Sequence, residues 1–142
     1  MRTQLRDSSI RSRIRSAVLL ATLMLTVLPG LALATSYYST LHLLTTFNGT
    51  TRSYTGANMN ISLTSYSEKT GAFVTTYGIT FYRHRCVLFV CNDDLIGSAT
   101  VPRDGYGSGR WTSVGSGDYF FSFSKANDGF WVDSNSVYMY SN

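Results

Sequence analysis

The chain has 142 residues, with 12 lysine and arginine residues, 8 acidic residues, 2 histidines and 2 cysteines. This length suits one domain and argues against two, and a 44% share of hydrophobic residues is too high for a disordered chain. With 14% charged residues and so few histidines and cysteines, the composition leaves little material for a metal centre.

The first 34 residues have the order of a secretory signal. Residues 1–16 carry five arginines and one aspartate, residues 17–28 are apolar apart from threonine, and Pro29-Gly30 then breaks the helix. Ala32 and Ala34 supply the small side chains that a signal peptidase needs. The apolar run is shorter than the about 20 residues that cross a bilayer. We predict a signal peptide over residues 1–34 and a secreted domain over residues 35–142; the alternative is an uncleaved N-terminal anchor.

Cleavage after Ala34 would change the charge of the protein. Residues 35–142 contain seven basic and seven acidic residues, so the net charge of +4 lies entirely in the first 34 residues. A basic protein would suggest nucleic acid or an anionic membrane as a partner. The electroneutral domain instead predicts no nucleic-acid partner, and no stable membrane span is expected after cleavage.

Residues 35–142 have the composition and periodicity of β-strands. All 20 aromatic residues lie there, and apolar and polar side chains alternate over short segments. Turns are marked by pairs such as Asn48-Gly49 and Asp104-Gly105, and residues 105–117 are predicted as one long turn region around Trp111. Seven or eight short strands in about 100 residues predict an antiparallel β-sandwich or barrel. In chain order, the predicted strands cover residues 37–43, 61–66, 73–77, 79–83, 96–101, 119–124, 130–132 and 137–140.

Residues 79–133 carry a further pattern of strand, hairpin, strand, a glycine-containing turn, an aromatic residue, a short apolar step and a Gly-x-Tyr strand. The matching positions are Ile79-Thr80-Phe81-Tyr82, Ile96-Gly97, Asp104-Gly105, Trp111, Val114, Gly117-Asp118-Tyr119-Phe120-Phe121 and Asp128-Gly129-Phe130. In this pattern the segment resembles the prealbumin-like immunoglobulin-type modules of bacterial surface proteins, the collagen-adhesin B-repeat group. The resemblance implies a single antiparallel β-sandwich of immunoglobulin or prealbumin-like type, built from two sheets, with a non-catalytic, adhesive or structural role. Those modules often carry a Lys–Asn isopeptide bond, which we do not expect here because residues 35–142 hold only Lys69 and Lys125.

Cys86 and Cys91 are the only cysteines, and in an exported chain an even pair predicts a disulfide. Such a bridge would close a small ring around an apolar loop. Two interpretations of that loop remain open. Either the ring presents Val87, Leu88 and Phe89 as a rigid contact surface, or these residues continue a strand into the core, where apolar runs usually lie.

Zinc is the competing interpretation of the same segment. A zinc ion could take three ligands from His84, Cys86 and Cys91 and a fourth from His42. The Cys-x4-Cys spacing, however, is at the edge of what structural zinc sites use. Export to an oxidising compartment also favours the disulfide. Asn92-Asp93-Asp94 offers oxygen atoms of the kind that calcium binds, yet no spaced EF-hand loop is present and turn formation explains these residues. We therefore predict no metal and no cofactor.

No catalytic motif is present in the sequence. The serines and glycines of residues 107–117 lack the Gly-x-Ser-x-Gly spacing of a hydrolase nucleophile, and no serine stands out as a partner of His42 or His84. The aspartates lie mostly beside glycine or asparagine, as turn formers do, and phosphate-binding glycine motifs are missing. We predict that the protein is not an enzyme.

Aromatic side chains on strand faces are the remaining candidates for binding. Tyr138 and Tyr140 alternate with apolar neighbours, so that this pair is expected to face solvent, and Trp131 is a similar case. Together with Phe89 in the cysteine ring, these are the predicted binding residues. Tyrosine and tryptophan on a flat sheet can stack on sugars or anchor a protein partner.

These features predict a secreted, non-catalytic binding or structural module, extracellular or associated with the cell surface. Its expected partner is an extracellular protein or a cell-surface polysaccharide, bound through the aromatic strand faces or through the Cys86–Cys91 loop. The alternative function is that of a small secreted toxin or antimicrobial protein, although membrane-active peptides are usually cationic.

Overall fold

Nine β-strands and no helix occur in the part of the chain that the structure describes, residues 34–68 and 74–142 of a computed structural model. The chain divides into two units, Met1–Leu31 and Ala32–Asn142. The predicted signal peptide lies, apart from Ala34, outside the described residues. Within the described ranges, the search for a helix long and apolar enough to cross a bilayer finds none.

The strands follow one another through mostly short connections. They are β1 (Ser36–Leu43), β2 (Thr46–Asn48), β3 (Arg52–Tyr54), β4 (Met59–Ser67), β5 (Thr76–Val87), β6 (Val90–Pro102), β7 (Gly105–Trp111), β8 (Gly117–Ser124) and β9 (Val132–Ser141).

Two antiparallel sheets hold these strands. The four-stranded sheet has the order β1-β9-β4-β7. In the five-stranded sheet β6 lies beside β5 and β5 beside β8, while the other edge of β8 pairs with both β2 and β3. This arrangement confirms the expected all-β architecture of two antiparallel sheets and is consistent with a sandwich. Three strands were not predicted, namely the short β2 and β3 and the glycine-rich β7. Two pairs of predicted strands are each replaced by one longer strand, β5 in place of residues 73–77 and 79–83, and β9 in place of residues 130–132 and 137–140. The described strands therefore number nine rather than seven or eight.

The core lies between the sheets, because alternate side chains of each strand point inward. In β8, Tyr119, Phe121 and Phe123 are buried, as the alternation predicts. The buried ring of Phe81, on β5, has its centroid 4.7 Å from that of Phe121 and 5.0 Å from that of Tyr119. Trp111, on β7 of the other sheet, lies 5.1 Å from Phe81. This aromatic cluster therefore joins the two layers.

The expectation of a long turn over residues 105–117 is wrong. β7 occupies the first half of that segment and pairs with β4 along its whole length. A Cβ on Gly107 would lie 2.6 Å from the Cβ of Val101 on β6, and a Cβ on Gly109 would lie 2.7 Å from the ring of Trp111. Glycine at these positions lets the backbone of β7 approach the other sheet closely, which is one of the few reasons for glycine within a strand.

Phe81→Ala should destabilise the domain by about 3–5 kcal/mol, because it removes a buried ring from the cluster that joins the sheets. Urea denaturation of the two proteins measures this loss. Tyr82→Ala is the matched control, since Tyr82 is the next residue of β5 and its half-buried ring stacks on Phe120 with centroids 5.1 Å apart. Equal losses in the two variants would contradict the assignment of Phe81 to the core.

Candidate functional site

The longest pair of neighbouring strands in the described chain, β5 and β6, forms a hairpin that extends past its own sheet. β5 pairs with β6 from Thr76 to Val87, but it pairs with β8 only as far as His84. Beyond His84 and its partner Asp93, the hairpin continues as a two-stranded ribbon. The first half of β5 is thus anchored in the core, and the second half carries the candidate site.

A two-residue turn, Leu88-Phe89, closes the hairpin between Val87 and Val90. Leu88 has a φ of 59°, in the left-handed region, where tight hairpin turns usually place glycine or asparagine. For leucine this conformation costs about 1–2 kcal/mol. The turn keeps a bulky apolar side chain where glycine would be less strained, and such local strain is often found at functional positions.

The four apolar residues around this turn face solvent. The exposed fraction is 71% for Val87, 90% for Leu88, 99% for Phe89 and 65% for Val90. The interpretation that this run continues into the core is therefore wrong, because the strands turn back outside the sheet. Single apolar residues on a surface are ordinary, but four adjacent ones at the end of a projecting element indicate an interaction site. We call residues 87–90 the hairpin tip.

A disulfide joins Cys86 and Cys91, which lie directly opposite each other next to the hairpin tip. This bridge confirms the prediction made from the two cysteines. On the same face, two pairs further from the tip, His84 lies opposite Asp93, with 2.6 Å between His84 Nδ1 and Asp93 Oδ1. The other ring nitrogen, His84 Nε2, lies 3.2 Å from Cys86 Sγ. These four residues form one connected row along the hairpin.

The two arginines below the hairpin tip, Arg83 and Arg85, both have polar partners. Arg85 Nε lies 3.2 Å from Asp94 Oδ2, and Arg83 donates a hydrogen bond from Nη2 to the carbonyl of Ser116 at 3.1 Å. The expectation that Asn92-Asp93-Asp94 forms a turn is wrong, since all three residues belong to β6. The turn lies instead at residues 88–89, and the resulting register brings the two aspartates opposite basic side chains of β5.

His42 takes no part in the hairpin site. It lies on β1 of the four-stranded sheet, where Nδ1 is 2.5 Å from Asp133 Oδ1 and the ring stacks on Trp131 with centroids 3.8 Å apart. Among the described residues, the group of possible metal ligands contains His84 and both cysteines but not His42. His42 is therefore not placed to act as the fourth ligand in the competing zinc interpretation. The predicted binding residue Trp131 is half-buried, and His42 covers one of its faces.

Tyr138 and Tyr140 are half-buried on the outer face of the four-stranded sheet, while their neighbours in β9 point into the core. Their rings stack on each other with centroids 4.9 Å apart, and Tyr138 also stacks on Tyr38 at 4.6 Å. The stack covers ring surface that a sugar would need. Tyr106 lines a shallow groove together with Tyr138 and Thr64. Tyr106 is not among the predicted binding residues, because its segment was predicted to be a turn, where the alternation of strand residues does not apply.

Two concave sites lie away from the hairpin. One is the groove beside Tyr106, and the other lies between the edges of β1 and β2 and is lined mainly by aromatic, apolar and hydroxyl-bearing side chains. Neither of these two is lined by a carboxylate or an imidazole. Carboxylates and imidazoles are the groups that general acid–base catalysis uses most often.

A buried charge cluster lies away from the hairpin. The side chains of Arg103 and Lys125 are 2% and 1% exposed, and both contact the carboxylate of Asp128 at 2.5 Å. The hydrogen bond from Lys125, together with that from Arg103, lowers the pKa of the Asp128 carboxyl to about 2. Because Arg103 follows β6 and Asp128 lies between β8 and β9, the cluster ties two connections together. We assign it a structural role.

No family model, curated protein or solved structure matches this chain. The class of protein is therefore defined by its fold and its site. It is an all-β protein of two antiparallel sheets, with a disulfide-closed hairpin whose apolar tip is exposed. The resemblance of residues 79–133 to the collagen-adhesin B-repeat modules stays a prediction.

The stability of the domain should fall as the pH drops from about 4 to 2, in part because of Asp128. Its pKa is 3.8 in the unfolded chain and about 2 in the fold. The contribution of its carboxylate is thus fully present above pH 3.8 and is lost as the pH falls toward the folded value. Urea midpoints measured across this range should fall less steeply for Asp128→Asn than for the wild type. Asp94→Asn, which removes a more exposed carboxylate, serves as the control; parallel curves for wild type and Asp128→Asn would refute this assignment.

Replacing both cysteines, by Cys86→Ser with Cys91→Ser, should cost no more than about 2 kcal/mol of stability, because the bridge closes a very short loop. The ring also lies beyond the end of the pairing between β5 and β8, so the sheets should unfold in one transition as before. Urea unfolding followed by tryptophan fluorescence measures both the loss of stability and the cooperativity of the transition. A loss of the cooperative transition would show that the bridge holds the sheets and not only the hairpin.

Proposed function

We propose that this protein is a secreted, non-catalytic binding module that inserts the hairpin tip into an apolar pocket of an extracellular protein. The exposure of the hairpin tip carries this proposal. Leu88 and Phe89 are almost fully solvated, although a well-formed core is available to other apolar side chains. Removing such surface from water is favourable, so a partner that covers the tip gains binding free energy.

The size of the tip matches that of an interface hot spot. Full burial of one leucine or phenylalanine side chain contributes roughly 1.5–3 kcal/mol. Leu88 and Phe89 together would therefore contribute on the order of 3–6 kcal/mol if a partner covered both. A few central side chains commonly carry most of the binding free energy of a protein interface. The polar ribbon below the tip would then form the rim.

The construction of the hairpin favours binding in one fixed shape. The disulfide and the continuous pairing of β5 with β6 hold residues 87–90 in place, which reduces the conformational entropy that binding must remove. The strained backbone of Leu88 fits the same interpretation, since the fold itself gains nothing from a leucine there.

The chemistry of the tip favours a protein pocket over a sugar or a lipid surface. Sugars are bound through hydrogen bonds and flat aromatic faces, whereas three of the four tip residues are aliphatic. Anionic lipid surfaces attract unpaired basic residues. Directly below the tip, Arg85 is paired with Asp94, and the ring of His84 contacts the carboxylate of Asp93.

Export is part of the proposal. The arginine-rich, apolar and small-residue order of residues 1–34 supports secretion, and a disulfide between the only two cysteines suits an oxidising compartment. The alternative, a small secreted toxin or antimicrobial protein, would use the same tip on the membrane of another cell. Binding of a cell-surface polysaccharide would instead use the outer face around Tyr138 and Tyr140.

Phe89→Ser should weaken the affinity for the protein partner at least about tenfold, because a loss of 1.4 kcal/mol already corresponds to that factor. The partner is obtained by crosslinking the exported protein to the envelopes of the producing cell and its neighbours. The affinity is then measured by calorimetry with both purified components. Tyr106→Ser is the matched control, since Tyr106 is also an exposed aromatic residue but lies on the other sheet, and it should leave the affinity unchanged.

Leu88→Gly separates binding from folding. It should keep or raise the stability, because glycine adopts the left-handed turn without strain, and it should still weaken binding.

Sedimentation with lipid vesicles that depends on Phe89 would favour the toxin alternative. Polysaccharide binding that survives Phe89→Ser but not Tyr138→Ala would favour the sheet face. Either result would overturn the proposed protein pocket.

A further inference from the structure

The face of the hairpin below the tip gathers three atoms of the kind that bind soft metal ions. His84 Nε2, Cys86 Sγ and Cys91 Sγ all lie within 4.8 Å of one another. His84 and Cys86 are two residues apart on β5, so their side chains point to the same face, and Cys91 is the direct cross-strand partner of Cys86. The strand register itself therefore brings the three together.

Asp93 gives His84 the orientation that metal-binding histidines usually have. With a proton on Nδ1 donated to Asp93 Oδ1 at 2.6 Å, Nε2 presents its lone pair toward the sulfur atoms. A carboxylate behind the ring in this way fixes the tautomer and direction of most histidine ligands, and its removal commonly weakens metal binding 10–100-fold.

His42 provides an internal comparison. It makes the same kind of contact, from Nδ1 to the carboxylate of Asp133, but its ring lies against Trp131 and outside the group of three ligand atoms. A histidine–aspartate pair alone is therefore not the distinguishing feature. The hairpin differs because the free nitrogen of its histidine meets two sulfur atoms.

Only small movements separate this row from tetrahedral zinc ligation. Zinc–sulfur bonds of about 2.3 Å and zinc–nitrogen bonds of about 2.0 Å place two ligand sulfurs about 3.8 Å apart and a sulfur and a nitrogen about 3.5 Å apart. His84 Nε2 is already 3.2 Å from Cys86 Sγ. Once the bond between the sulfurs is broken, rotation of exposed side chains in the ribbon beyond β8 suffices to reach these distances.

We propose that reduction of the disulfide turns the hairpin into a zinc site formed by His84 Nε2 and the thiolates of Cys86 and Cys91. An external dithiol supplies the two electrons and two protons that convert the disulfide to two thiols, and is itself oxidised to a disulfide. Zinc then replaces the two thiol protons, which pass to solvent. Three protein ligands leave the fourth position to water or to a partner. The site depends on the hairpin's own atoms and not on what the hairpin tip binds.

The exchange would substitute one cross-link for another in the same place. In the oxidised protein the disulfide holds the two strands next to the tip, and in the reduced protein zinc would hold them through three side chains. The exposed position of both cysteines gives a reductant access to the bridge.

The test is a titration of the intact exported protein with zinc, in its oxidised form and after reduction by a phosphine without free thiols. Competition with a chromophoric chelator gives the affinity and stoichiometry. We expect one zinc per reduced chain and at least about 100-fold weaker binding to the oxidised chain. Cobalt, titrated in place of zinc, should show thiolate-to-cobalt charge transfer and the intense visible bands of tetrahedral ligation. Equal zinc binding by both forms would overturn the proposal.

Variants identify the ligands. His84→Ala and Asp93→Asn should each weaken zinc binding by the reduced chain at least about tenfold, and Cys86→Ser with Cys91→Ser should abolish it. His42→Ala, the matched control, should have no effect. Histidine ring signals in the NMR spectrum offer a measurement that needs no variant: zinc should shift those of His84 and leave those of His42 in place. Unchanged affinity in His84→Ala, or shifts in both rings, would reject the assigned ligands.

Discussion

The position of β5 between β8 and β6 is the constraint on which the other features depend. Its first half is paired on both sides, which fixes Phe81 in the aromatic cluster between the sheets. Its last three residues, 85–87, are paired on one side only, because the pairing with β8 ends at His84. One strand is therefore both a central element of the core and the support of a projecting ribbon, and the rigid half orients the exposed half.

Much of the fold could be predicted from the two-residue period of apolar side chains, since β8 and β9 bury alternate residues as expected. β7 could not be predicted in this way, because its glycines lack the side chains that reveal alternation. Glycine is needed in β7 because Val101, on another strand, approaches its backbone closely. Whether the hairpin tip is buried or exposed could not be predicted, for a different reason. An apolar run has the same composition in a buried strand and at an exposed turn, and only the pairing partners distinguish the two.

The candidate site was predictable in part. The predicted export and the even number of cysteines were sufficient to predict the disulfide, whereas Asp93 was predicted to be a turn residue. Pairing the residues outward from Leu88-Phe89 would have matched Cys86 with Cys91 and His84 with Asp93, as the register has them. The mutual stacking of Tyr38, Tyr138 and Tyr140 could not be predicted in this way, because β1 and β4 both contain irregularities in their pairing with β9.

β6 is the last strand of the five-stranded sheet in the described part of the chain, and it is thirteen residues long. A long edge strand is a template on which a second chain can add and start an aggregate. Two acidic side chains near one end, an irregularity opposite Phe81 and a proline at the other end interrupt this template. The same aspartates that balance the ribbon's basic residues thus also help to keep copies of the protein apart in concentrated solution.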